Sequence, residues 1–89
     1  LFEAVLANAD LSGARLVGHN LIRANLKGTN LKGADLSWVW LQGADLTDAN
    51  LEGANLERAF SDSDTVWPNG FDRVGAGVVI KTLPGGLRD

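Results

Sequence analysis

Every fifth residue from Leu1 to Leu56 is leucine, twelve in succession without a change of phase. Two residues before the leucine the side chain is usually alanine (Ala4, Ala9, Ala14, Ala24, Ala34, Ala44, Ala49, Ala54), and just before it stands Asp or Asn at 10, 20, 25, 30, 35, 45, 50 and 55. A period of five fits neither regular element. Five residues advance a helix by about 500°, which scatters successive leucines around the axis. On a flat strand an odd step puts them on opposite faces. For twelve leucines to reach one core, the chain must turn a corner inside every repeat. Glycine two after the leucine, at 13, 18, 28, 33, 43 and 53, marks that corner, because the third residue of a type II turn needs positive φ. Each unit is therefore a short extended side, with Ala and Leu inward and Asp or Asn outward, closed by a turn.

The irregular units indicate how many sides make a coil. The inward exceptions His19 and Val39 are 20 residues apart, as are Trp40 and Phe60 at the usual Asp/Asn position, whereas Thr29 stands outside this column. Four sides per coil would stack each pair. The Ala-(Asp/Asn)-Leu-x-x units resemble the pentapeptide repeat family over roughly residues 1 to 66, and the segment Trp67-Pro68-Asn69-Gly70-Phe71-Asp72 resembles one that often closes its cyanobacterial members. The resemblance implies an all-β fold: a right-handed quadrilateral β-helix with leucine at the centre of each side.

The expected organisation is a β-helix of about three coils over residues 1–66, followed by a cap and tail over 67–89. Leu11, Leu16, Leu21, Leu26, Leu31, Leu36, Leu41, Leu46 and Leu51 are the expected core. Trp67 and Phe71 flank a turn and are expected to cover the bottom of the leucine column. Residues 61–66 are expected to keep the spacing, with Val66 at the centre of the side and Asp64 in the inward place. Residues 77–83 are β-prone and either pair with an edge or form a mobile tail. Columns 20 apart should set Arg15 over Asp35, Lys32 over Glu52, Glu3 over Arg23 and Asn30 over Asn50, mainly as surface ladders.

Phe2 and Val5 occupy outward positions, so the upper end of the stack is expected to be covered or to be a contact surface. The chain starts at Leu1 already in register and reads as part of something longer or as a trimmed product. It has no cysteine, so the redox compartment stays open. It contains no transmembrane run, and Glu3 interrupts the only apolar start that resembles a signal segment; the compartment is undetermined, with the cytoplasm favoured. The formal charge of −3 conceals a polarity: residues 1–33 sum to +2, 34–66 to −6 and 67–89 to +1.

Catalysis has little to work with. There is one histidine and no tyrosine, no serine is paired with a base, and Gly85-Gly86 lacks the lysine of a phosphate loop. No catalytic residue, metal ligand or cofactor is expected; calcium-binding solenoids use a glycine-rich nonapeptide that is missing here. His19 is expected as a buried or half-buried neutral imidazole above Val39 and Ala59. The strongest candidate site is an apolar patch of Ile22, Trp38, Trp40 and Phe60, with Arg58 one coil below Trp38 in cation–π range. The competing expectation is that residues 74–87 fold back and bury it. The favoured function is a non-catalytic structural or protein–protein interaction module within a larger protein. Its partner would be a protein or neighbouring domain, with head-to-tail self-association as a further expectation. Neither nucleic acid nor membrane contact is expected, since the basic residues form no dense cluster. The alternative is an acidic mimic of DNA that binds a DNA-processing enzyme such as gyrase.

Overall fold

The structure, a computed structural model, describes residues 1–84. The chain winds as a right-handed four-sided β-helix whose successive coils are linked by isolated parallel bridges: Val5 with Asn25, Asp10 with Asn30, Arg15 with Asp35 and Asn20 with Trp40 start four columns. All four columns continue 20 residues on, as Asn25 with Asp45, Asn30 with Asn50, Asp35 with Asn55 and Trp40 with Phe60. Leucine donates its N–H to the coil below (Leu31 to Asn50, 2.8 Å), and the residue before it donates to the coil above (Asn30 to Ala9, 2.9 Å). The two formal strands close the stack: β1 (Phe60–Ser61) pairs in parallel with β2 (Val79–Ile80).

Each unit is closed by a bond from the small inward residue back to its leucine, for example Ala34 N–H to the Leu31 carbonyl at 3.0 Å. The third turn residue has φ between 57° and 70° at all twelve corners, six of them glycine and six not: Glu3, Asn8, Arg23, Trp38, Asp48 and Arg58. The eight Asp and Asn residues identified by position each accept the backbone N–H two residues on through Oδ1, from Asp10 (3.1 Å) to Asn55 (3.0 Å). These Asx bonds explain the residue choice: the side chain at that place must be short and carry an acceptor that reaches the turn.

Leu21, Leu26, Leu31, Leu36, Leu41 and Leu46 are fully buried, and Leu16, Leu51 and Leu56 nearly so. Leu11, expected in the core, is only half-buried, because it lies in the first coil with no layer above it. The same open end corrects the expectation for His19: it is exposed, with Nδ1 3.2 Å from the Val17 carbonyl. Thr29 is buried, and its hydroxyl donates to the Leu6 carbonyl at 2.8 Å, which satisfies that buried polar group.

The lower end departs from the expected register. Asp45 bridges to Val66, 21 residues on and not 20, so one residue has been added after Phe60. Val66 therefore takes the outward position and is 46% exposed, correcting its expected place at the centre. Thr65, not Asp64, is the inward residue, and its hydroxyl repeats the Thr29 bond by donating to the Leu41 carbonyl at 2.8 Å. Asp62 repairs the slip. Gly43 N–H, which in the regular pattern would meet a backbone carbonyl below, donates to its carboxylate at 3.0 Å, as does Asp64 N–H.

One residue beyond Val66, Trp67 stands at the next place in phase. It stacks on Phe71 at 5.2 Å with 19° between the rings, and both pack against the core cluster together with Ala76 and Val78. Of the two readings left open for residues 77–83, edge pairing is the one observed. Arg58 N–H donates to Gly77 (2.9 Å), Val79 N–H to Ala59 (2.8 Å) and Lys81 N–H to Ser61 (2.8 Å). The last five residues of the expected 67–89 segment lie outside the described residues.

Candidate functional site

The outward column of one side reads Asn20, Trp40, Phe60 and Val79, joined rung by rung by the bridges from coil to coil and by the β1–β2 pair. Trp38 sits at the adjoining corner. Trp38 and Trp40 both meet Phe60 edge-on, at 6.4 and 6.3 Å between centroids, an arrangement that the ring quadrupoles favour over face stacking. The Arg58 guanidinium lies 5.3 Å over Trp38 and the Lys81 ammonium 5.8 Å over Phe60. Trp38 is 49% and Trp40 40% exposed, whereas Phe60 is half-buried among its neighbours. The returning chain runs along the lower edge of the last coil and leaves both tryptophans open, so among the described residues that segment does not bury the Trp38 and Trp40 part of the patch.

Ile22 does not belong to this surface. It is 2% exposed, and the residue one coil below it, Gln42, is 1% exposed. This corner faces the returning chain, where Gln42 Nε2 donates to the Lys81 carbonyl at 3.0 Å. The position after leucine is therefore an inner corner on this side, which a rule of alternating sides could not reveal. Lys81 is the member of the site that sequence spacing missed, since it joins through the β2 pairing and not through the five-residue period.

Trp38 is also unusual in its backbone. At φ 60° it is the one apolar side chain among the twelve turn positions, and a bulky residue there is strained relative to glycine. The contacts with Phe60 and Arg58 offset part of that cost.

Elsewhere the surface is a ladder of charges. Arg23 pairs with Glu3 at 3.6 Å and Lys32 with Glu52 at 4.0 Å, in the expected columns, while Lys27 pairs with Asp45 at 3.6 Å across columns. Asp10, Asp35 and Asp45 have carboxyls held below the ordinary value, chiefly by the hydroxyls of Ser12, Ser37 and Thr47 at 2.7, 2.7 and 2.6 Å. Among the described residues no group of His, Cys, Asp and Glu is placed to hold a metal ion, and no helix is long and apolar enough to cross a membrane.

The family model for pentapeptide repeats matches residues 4–39 and 41–60 in eight copies. The chain belongs to the pentapeptide repeat family. Members of this family are non-catalytic scaffolds. Among solved structures, a pentapeptide repeat protein from Nostoc PCC 7120 is 34% identical, with a TM-score of 0.68 over 90% of this chain and 83% of its own. One from the cyanobacterium Cyanothece 51142 is 46% identical, with a TM-score of 0.72 over 73% of this chain but only 44% of its own. HetL from Nostoc sp. strain PCC 7120, a pentapeptide repeat protein involved in heterocyst differentiation regulation, is 33% identical over 73% of this chain. Its TM-score of 0.37 is too low to carry a structural argument. No curated protein matches the chain significantly.

Proposed function

We propose that this pentapeptide repeat chain is a non-catalytic protein-interaction module, acting within a larger protein or assembly, which presents the Trp38, Trp40 and Phe60 face to a protein partner. The observation that carries the reading is the exposed, mutually braced aromatic cluster on a coil whose backbone is bonded above and below. Exposed aromatics held rigidly are the usual centre of a binding surface, because little side-chain freedom is lost on contact. In this reading residues 1–66 form the display scaffold and 67–89 close its lower end.

The test is site-specific photo-crosslinking in extract of the source cell, with the probe at position 40 or, as a control on the opposite charge ladder, at position 52. A discrete adduct at 40 that is absent at 52 and disappears in Trp38→Ala is expected. Adducts that are equal at both positions overturn the proposal.

The alternative reading, an acidic DNA mimic acting on gyrase, draws on the net charge of −6 over residues 34–66. Against it stand the net +2 of residues 1–33 and the height of three coils, roughly 15 Å at about 4.8 Å each, which matches only about four base pairs at ~3.4 Å. Inhibition of supercoiling by the isolated chain would reverse this preference.

A further inference from the structure

The cations of the aromatic face differ from those of the ladders. Arg23, Lys27 and Lys32 are each neutralised by a carboxylate. Arg58 and Lys81 are in no ion pair among the described residues, and each instead rests on an aromatic ring. They lie at the lower end of the molecule, where the coil residues are otherwise strongly acidic. Resting on a ring leaves one side of a guanidinium or ammonium open to an anion, and the ring orients it without cancelling its charge. Beside them runs a groove of about 520 Å³, lined by Trp40, Gln42, Lys81, Thr82, Leu83 and Pro84.

Granting the interaction role proposed above, we infer that this face takes an extended acidic segment of the partner protein, with a carboxylate at Arg58, another at Lys81 and an apolar side chain against Trp40. Contacts from Arg58 to Trp38, on to Phe60 and on to Lys81 step by 5.3, 6.4 and 5.8 Å. Alternate residues of an extended chain project on one side about 6.6 Å apart, so a segment with acids two residues either side of an apolar residue presents all three side chains to one face. Charge complementarity favours peptide over single-stranded nucleic acid. The two cations of this face, in a chain of net charge −3, give little purchase on a phosphate backbone, and the Trp38 and Phe60 faces on which bases would stack already carry them.

The experiment titrates the full chain with a serine-flanked Glu-Ser-Leu-Ser-Glu peptide while the three indole N–H signals are followed by NMR. Trp67, whose Nε1 is buried, serves as the internal control. The expected result is movement of the Trp38 and Trp40 signals with Trp67 unmoved. Binding should weaken roughly fivefold or more when both glutamates become glutamine, and likewise in R58Q/K81Q. The glutamine peptide on the unaltered protein keeps the test decisive even if the double variant is poorly folded. Equal binding of both peptides overturns the inference, as does a stronger response to an oligothymidylate, or no movement with any probe. Silence towards the peptide together with the position-40 crosslink would overturn this inference alone and leave the interaction role standing.

Discussion

At the scale of single residues, the Asp/Asn place shows how one hydrogen bond dictates a choice of two amino acids. Both supply an Oδ1 acceptor two residues before a turn N–H, but only aspartate adds a charge that acid can remove. Asp10, Asp35 and Asp45 have lowered pKa values in the folded state, so the unfolded chain binds protons first as pH falls. Their contribution is present above the ordinary carboxyl value of 3.8 and is lost as pH drops below it through the folded values. The triple variant D10N/D35N/D45N is expected to keep the fold at pH 7 and to lose less stability between pH 5 and pH 2. Urea melts across that range check it, and a slope unchanged from the parent contradicts it. The corner glycines obey a different constraint. A Cβ at Gly33 would meet nothing within 4 Å, so its cost is purely that of φ +68°, which Val tolerates poorly. Gly33→Val is expected to cost about 1–2 kcal/mol, and more than Ser37→Val, which loses only the half-buried hydroxyl bond to Asp35. Equal denaturation midpoints for the two variants would remove the turn assignment.

At the scale of elements, the closing of the lower end rests on a side chain standing in for backbone. Where the added residue puts the chain out of register, the Asp62 carboxylate accepts Gly43 N–H and Asp64 N–H, with the Thr65 hydroxyl 3.3 Å away. Asp62→Ala takes the acceptor from the half-buried Gly43 N–H and is expected to cost about 1–2 kcal/mol. Thermal melting of the variant measures it, and a shift of less than a degree would show that the slip needs no repair. Residues 76–81 matter for a related reason. Without them Arg58, Ala59 and Ser61 lose their lower partners and β1 becomes an open edge. A chain ending at residue 75 is expected to melt earlier and to self-associate, which sedimentation would detect.

For the whole molecule, the leucine column is a single cooperative core, since each coil buries its own leucines only by stacking on the next. Leu31 is fully buried in the second coil, so Leu31→Asp places a charge among leucines with no partner in reach and is expected to abolish cooperative unfolding by circular dichroism. Replacing Trp38 and Trp40 by alanine is expected to leave that cooperativity intact. Both are about half exposed, and Trp38→Ala also exchanges a bulky side chain for a small one in a strained backbone position.

The repeat and the coil size were legible in the chain because both follow from local spacing. A leucine every five residues excludes helix and flat strand, glycine marks the corners, and irregular residues 20 apart mark one turn of the stack. The columns of the charge ladder and the Arg58–Trp38 contact follow from the same arithmetic. Two kinds of feature did not follow from it. The exposure of His19 and Leu11 depends on whether a layer lies above them, which no position within a repeat encodes. The burial of Ile22, the place of Lys81 on the aromatic face and the one-residue slip before Val66 depend on how the non-repetitive segment returns to the last coil. A periodic sequence determines its own neighbours, because each side can stack only on the side one coil away. Where the period stops, packing against the exposed edge selects the register, and only the tertiary structure records which one was selected.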